Sequence, residues 1–502
     1  MHAVLKMITG TFCSRLLGFL RDIVFFAILG SSLEASAFLI AFSIPNLFRR
    51  LCGEGALSSA FIPIFAQRYV KQPKTAHAFL NAFFTRFGVY LGGSIVMGMV
   101  LLALIHNFLN DTKWSTVLYL TNAMLPYLWF ICMAALLNGT LNVLNAFSLT
   151  AFSPVFLNLS MLTGLFVCSF YENNLRQVSI VSIFVILGGI LQWFLPKMQL
   201  TQKGYPLQTF SWQADPDLRR IWLLFVPSIL GAAIFQINAM LGRFFAYILD
   251  ERSVSFLYLA NRFLELPLGL FAFAIISIIL PKLSLYTAQQ NESDAQKILK
   301  QGINLLLLLL IPAAIGLFIL AQPILEICFC WGNFSHNDAK QVVPLLQIFA
   351  VGLPLFGITS LLTRVFYAHK DTVTPVKLSF ITLIAYVASF ACLCPFFNLN
   401  SLALASVLST CIQLILQIKI IKQRYPFYPL NVLLYFRKKW SIFLIYTGLL
   451  LGIAQLCTWT QQKTHDALQI SWIVIVGVLI YLILLKCLDK KSFKSLIKLQ
   501  LN

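Results

Sequence analysis

Charge is scarce in this chain of 502 residues: only 11% are charged, and Asp and Glu together number 17. Soluble domains carry about 25% charged residues, so an ordinary water-facing surface is excluded. Acidic groups are scarcest where an enzyme acting on phosphates would need them. Close acidic pairs such as Asp215 with Asp217 and Asp250 with Glu251 fall in loops, so an Asp-rich site for a divalent ion has no place to form within the spans. The 11 cysteines contain no CxxC pair. Cys328 and Cys330, like Cys392 and Cys394, stand one residue apart, and most of the others lie in apolar runs, where free Cys behaves as a small hydrophobe. Neither a metal nor a cofactor is expected. A cleavable leader is not expected either, because Arg15, Arg21 and Asp22 interrupt the first apolar stretch and no small-residue cleavage site follows it.

What the chain does have is apolar length: 59% of it is hydrophobic, with 45 Phe. A membrane span needs about 20 predominantly apolar residues. That ruler gives about fourteen spans, at 5–30, 33–68, 80–106, 116–137, 147–170, 177–195, 219–249, 253–285, 299–321, 342–367, 376–394, 400–421, 440–459 and 469–487. The reading is an all-α polytopic membrane protein. The second and eighth stretches exceed one bilayer thickness and contain Pro45 and Pro267, so each is predicted to be kinked or broken.

The net charge of +20 does not point to nucleic acid, because the Lys and Arg sit in short loops rather than on a polar surface. With the N-terminus inside, the loops after even-numbered spans, the span ends flanking them and the C-terminal tail hold 23 of them, against five on the opposite side. Such an asymmetry predicts that both termini are cytoplasmic and supports an even number of spans. The chain also repeats. Phe25 to Leu29 recur as Phe244 to Ile248, Phe38 matches Phe256, Pro63 matches Pro281 and Ser153-Pro154 matches Thr374-Pro375, at offsets of 218 to 221. An offset of six spans gives two parallel six-helix lobes, a recurrent transporter plan. The expected parts are an N-terminal lobe at 1–196, a cytoplasmic linker at 197–220, a C-terminal lobe at 221–424, and 425–502 with two extra spans and a basic tail.

Ionisable residues inside spans cost about 2.5–3.5 kcal/mol each at a helix centre unless they face a wet cavity or a partner. Span 1 carries Arg15, Arg21 and Asp22; Arg15, Gly18 and Asp22 share a helical face. Span 2 carries Arg49, Arg50 and Gly53-Glu54-Gly55, where Arg50 and Glu54 can pair and the two glycines loosen the backbone as a gate would require. Span 8 carries Arg262 and Glu265, three apart and followed by Pro267. Arg86, Arg243 and Arg364 lie near span ends and read as structural or snorkelling residues. Five arginines thus meet three carboxylates in spans 1, 2 and 8. Surplus guanidinium in a membrane cavity implies an anionic ligand, and Arg grips phosphate oxygens bidentately. The chemistry is that of a two-lobed transporter for a phosphate-bearing solute or amphiphile.

The same residues carry a resemblance. Ser14-Arg15-Leu16-Leu17-Gly18-Phe19-Leu20-Arg21-Asp22 resembles the first-helix signature of the MurJ (MviN) family, and Ala41 to Arg50, Glu54-Gly55-Ala56 and Ala60 to Pro63 resemble its second. Asn261-Arg262, Glu265, Pro267, Phe366-Tyr367-Ala368, Asp371-Thr372 and Thr374-Pro375 continue the likeness. The resemblance implies a MATE-like exporter fold in the bacterial inner membrane. The function it implies is flipping of lipid II, the undecaprenyl-pyrophosphate-linked disaccharide-pentapeptide, to the periplasmic leaflet for peptidoglycan synthesis. It implies substrate-binding roles for Arg15, Arg21, Arg49 and Arg262 in a cationic central cavity, with Glu54 near them. From spacing and charge, Asp22, Arg50, Gly53, Glu54, Gly55 and Glu265 are expected to have cavity or gating roles. Spans 13 and 14 would hold the polyprenyl tail. The expected partners are lipid II and membrane lipids, with cell-wall synthesis proteins as further candidates and no nucleic acid. Ser36 and Asn261 stand where the family often has Asp, and spans 11 and 12 hold no interior carboxylate, so no sodium site is assigned.

The rival readings are a flippase for another polyprenyl-linked oligosaccharide, a drug exporter, an intramembrane polyprenyl-phosphate enzyme, and a scaffold for cell-wall enzymes. Cationic drugs would want buried carboxylates, the enzyme lacks its acidic site, and a scaffold leaves the intramembrane arginines unexplained.

Overall fold

A computed structural model describes residues 2–49, 51, 56–109, 111–146, 148–207, 211–212, 215–428, 439–460 and 467–489. Among the described residues the chain is helical, without strands. Its helices are α1 (His2–Leu29), α2 (Leu33–Arg49), α3 (Ala56–Lys71), α4 (Pro73–Phe108), α5 (Thr112–Val143), α6 (Ser148–Cys168), α7 (Asn174–Gln202) and α8 (Pro216–Leu249). There follow α9 (Ser253–Pro267), a π-helical turn (Leu268–Ala272), α10 (Phe273–Ala288), α11 (Glu292–Ile319), α12 (Ala321–Phe329) and α13 (His336–Ala368). The last are α14 (Val373–Phe397), α15 (Asn400–Arg424), α16 (Trp440–Thr460) and α17 (Ala467–Leu488). Eight helices among the described residues are long and apolar enough to cross a membrane by length and composition.

Of the two overlong apolar stretches, the eighth is interrupted: α9 ends at Pro267 and a π-helical turn joins it to α10, as expected where a ring displaces an intrahelical bond. In the second, Pro45 lies inside α2, which reaches Arg49, and α3 begins at Ala56; residues 50 and 52–55 lie outside the described residues.

The chain divides into two compact units. The first is Met1–Ser255 and also takes in Trp331–Phe334. Within it α7 packs on α5 and α6, α2 on α5, α1 on α6 and α3 on α8. Close approach is possible because small residues line these faces: a Cβ on Gly189 would come within 2.5 Å of the Tyr127 ring. The helix α8, counted above as the opening of the second lobe, belongs to this unit. Arg68 of α3 pairs with Asp215, the N-cap of α8, at 2.5 Å and with Asp217 at 3.4 Å. At the other end of α8 the Tyr247 hydroxyl donates to the Lys113 carbonyl at 2.8 Å.

Residues 331–334 are strapped to the end of α1. The Asn333 N–H donates to the Ala27 carbonyl at 2.8 Å, its side-chain amide donates to the Ile28 carbonyl at 2.5 Å, and the Phe334 ring meets Phe26 edge-on at 5.7 Å. Both backbones must bend left-handed to do this, with Gly30 and Gly332 each at φ +59°, a conformation open to glycine at little cost. A Cβ on Gly332 would overlap the Ala27 carbonyl oxygen. Beyond the turn after α1, the Ser36 and Ser255 hydroxyls bond each other at 2.9 Å.

The second unit is Phe256–Cys330 with Ser335–Asn502. Here α11 packs on α13, α13 on α15, α14 on α15 and α16 on α17. A capping box starts α13: Ser335 Oγ accepts from the Asp338 N–H, and Asp338 accepts from the Ser335 N–H. Asp371 accepts from the Thr374 N–H at 2.9 Å, the Thr374 hydroxyl at 2.6 Å and Arg424 at 2.7 Å, tying the start of α14 to the end of α15. Lys439 pairs with Asp489 at 3.0 Å, joining the ends of α16 and α17.

Candidate functional site

In the first unit the candidate residues gather on α1 and α2. Arg15 is exposed on α1 and forms no ion pair among the described residues. Arg21 and Asp22 are different: their side chains are 11% and 4% exposed, and they pair with each other. Arg21 Nη2 and Nε donate to one oxygen, Asp22 Oδ1, at 2.6 and 3.1 Å. The seven-residue spacing puts Asp22 on the same helical face as Arg15, yet the ion pair seen is with the adjacent Arg21. Arg49 is half-buried at the last residue of α2, where the exposed helix carbonyls favour a cation. The Arg49 and Arg21 guanidinium groups both lie within electrostatic reach of the buried Tyr127 hydroxyl.

Two participants came from α6 and were not among the ionisable residues read from the sequence. Asn158 Oδ1 accepts from Arg21 Nη1 at 3.1 Å while its Nδ2 donates to the Ser14 carbonyl at 3.0 Å. Met161 Sδ accepts weakly from the same Nη1 at 3.6 Å. Their sequence signal was a polar amide in the middle of an apolar span, where such groups are kept to bond a neighbouring helix.

In the second unit Arg262 and Glu265 lie on one face of α9, as their spacing predicts, with Nη1 and Oε2 3.9 Å apart. The Glu265 side chain is 62% exposed, so water screens the contact and it contributes little to stability. Asn261 donates to the Leu257 carbonyl one turn back, at 2.9 Å. Arg50, Gly53, Glu54 and Gly55 lie outside the described residues. Among the arginines read as structural, Arg86 donates to the Trp212 carbonyl at 3.2 Å and sits 5.3 Å from its ring, and Arg364 lies 5.5 Å from the Tyr367 ring. Among the described residues no group of three His, Cys, Asp or Glu could hold a metal ion.

A family model described as lipid II flippase MurJ matches residues 25–484. A Bdellovibrio bacteriovorus protein described as a probable lipid II flippase MurJ is 32% identical over 443 residues, covering 85% of this chain and 83% of its own length. Its Haemophilus influenzae counterpart, with the same description, is 34% identical and covers 80% of this chain and 82% of itself. Among solved structures, a lipid II flippase MurJ in an inward closed conformation superposes with a TM-score of 0.80 at 24% identity, over 99% of both chains. An inward-facing multidrug resistance MATE transporter superposes with a TM-score of 0.67 at 15% identity, over 84% of this chain and 98% of its own. At these identities the structural likeness speaks for the fold, which is that of the MATE-like transporters.

Proposed function

We propose, for a chain that belongs to the lipid II flippase MurJ family, that it moves lipid II from the cytoplasmic to the periplasmic leaflet of a bacterial inner membrane for peptidoglycan synthesis. It is a transporter and not an enzyme. The pyrophosphate of lipid II is bound by Arg15, Arg21, Arg49 and Arg262, while Asp22, Arg50, Gly53, Glu54, Gly55 and Glu265 tune or gate the path. The chain crosses the membrane fourteen times with both termini cytoplasmic, as two six-span lobes joined by the linker at 197–220 and followed by two further C-terminal spans. It works by alternating access, with cell-wall synthesis proteins as candidate partners.

The observation that carries this reading is the guanidinium left over on the first helix. Arg21 pairs with Asp22, while Arg15 is exposed on the same apolar helix and forms no ion pair among the described residues. A cation kept in an apolar span at a cost of about 2.5–3.5 kcal/mol implies a compensating anion. A pyrophosphate supplies it, and the planar guanidinium forks match its oxygens.

The direct test is depletion of this protein in its own cells, followed by measurement of lipid II on each leaflet of the inner membrane. Accumulation on the inner leaflet, reversed by the parent gene, is the expected result. An unchanged distribution would end the reading.

A further inference from the structure

Asn158 sits on α6 with 6% of its surface exposed, and its amide touches α1 at two heights. Nδ2 donates to the Ser14 carbonyl and Oδ1 accepts from Arg21 Nη1. Neither bond survives a flip of the amide, because a carbonyl can only accept and a guanidinium can only donate. Arg21 is therefore held from two sides, by the Asp22 carboxylate on its Nε–Nη2 edge and by a neutral carbonyl oxygen on Nη1.

We propose that Asn158 is a positioning residue for lipid II recognition: it aims the Arg21 guanidinium without cancelling its charge, and pins α1 at Ser14, beside Arg15. The proposal rests on the reading of Arg21 as a phosphate-binding group. A long Arg side chain has many rotamers, and fixing one beforehand removes an ordering cost from binding. The charge of the second clamp matters as much as its position. Arg21 and Asp22 already sum to zero, so a second carboxylate on the same guanidinium would make the cluster an anion facing an anionic substrate. Among side chains of this length, the amide supplies a donor for the Ser14 carbonyl and an acceptor for Arg21 with no charge. A helix-to-helix hydrogen bond serving packing alone would need only the Ser14 half of this arrangement.

The test separates charge from packing in the full-length protein, purified in detergent, with lipid II as the probe of binding and thermal unfolding as the probe of fold. Asn158→Asp keeps the size and the bond to Arg21 but loses the donor to the Ser14 carbonyl and adds a charge; it should weaken lipid II binding about tenfold, within the coupling range of residues sharing one network. Combining it with Asp22→Asn restores a single carboxylate on Arg21 but not the Ser14 bond, so binding should recover in part, by about threefold. Asn158→Leu removes both bonds and should also bind weakly. If N158D and N158L bind like the parent, or if adding D22N recovers none of the binding lost in N158D, the positioning role is wrong. Should the Leu variant fail to fold, the Asp single and double variants decide alone. Arg21→Ala reports on the underlying reading. If R21A binds lipid II like the parent, Arg21 is not a phosphate group at all; if R21A loses binding while the Asn158 variants keep it, only the present inference falls.

Discussion

Replacing Gly332 with alanine should peel residues 331–334 away from the end of α1 while leaving the helices folded. Two terms drive this. A left-handed backbone costs an alanine about 1–2 kcal/mol, and the new methyl would occupy the space of the Ala27 carbonyl oxygen, a backbone atom that cannot swing aside. Among the contacts that oppose release are the Asn333 N–H bond to Ala27, the Asn333 side-chain bond to Ile28 and the ring pair Phe26–Phe334, each worth about 1 kcal/mol. With the added Cβ overlapping the Ala27 oxygen one of the two segments must shift, and the short strap is the one expected to yield. Hydrogen exchange of a peptide covering 330–336 reads it directly. Loss of two hydrogen bonds, about 2 kcal/mol together, corresponds to exchange about 30-fold faster at Asn333, with an unfolding temperature close to that of the parent. Gly204→Ala is the control, since Gly204 has φ +85° but nothing within reach of an added Cβ, so it reports backbone strain without overlap. If G332A exchanges as slowly as the parent, the strap is not held as its hydrogen bonds suggest.

Arg15→Ala, Arg21→Ala and Arg262→Ala should each fail to complement a depleted strain while still inserting, and Lys should rescue only in part because it lacks the planar fork; normal growth of all three Ala variants at native expression would sink the site assignment. Gly189→Ala should lower the unfolding temperature in detergent, since its methyl would press on the buried Tyr127 ring and overpacking costs about 1–3 kcal/mol, more than the about 1 kcal/mol gained in helix propensity; an unchanged or higher temperature would contradict that packing. Burial opposes ionisation of Asp371, but its bonds from Thr374 and the Arg424 charge prevail and hold its carboxyl below the usual range. The folded pKa is depressed, so the stabilisation is present above the unfolded carboxylate pKa and is lost as pH falls through the folded value. Asp371→Asn should therefore melt below the parent at neutral pH, by no more than about 1 kcal/mol given the exposed Arg424, and the gap should close in acid; a gap that widens in acid would refute the assignment.

The helical class was legible because most apolar runs are about as long as a bilayer is thick and little else competes for the assignment; eight helices among the described residues meet that length and composition. The π-helical interruption after Pro267 was legible for the same reason that proline disturbs any helix. The short helix α12 was hidden, because Ala321–Phe329 falls between two spans and is too short to show as a run. The Arg262–Glu265 pairing followed from spacing alone, being local to one helix turn. The Arg21 clamp did not, because Asn158 is 137 residues away and carries no charge to mark it. A search restricted to ionisable groups passes over the neutral residues that aim them. The packing of α8 on α3, with Arg68 reaching Asp215, joins it to the first unit, and no repeat offset encodes such long-range contacts.

The Ser36–Ser255 hydrogen bond joins two identical side chains 219 positions apart. Two lysines or two aspartates in those places would repel, and two purely accepting or purely donating groups could form no bond. A hydroxyl escapes the conflict, since it both gives and takes a proton. The contact can therefore reverse its direction without moving either helix, and it constrains its neighbours only through the space the two small side chains occupy.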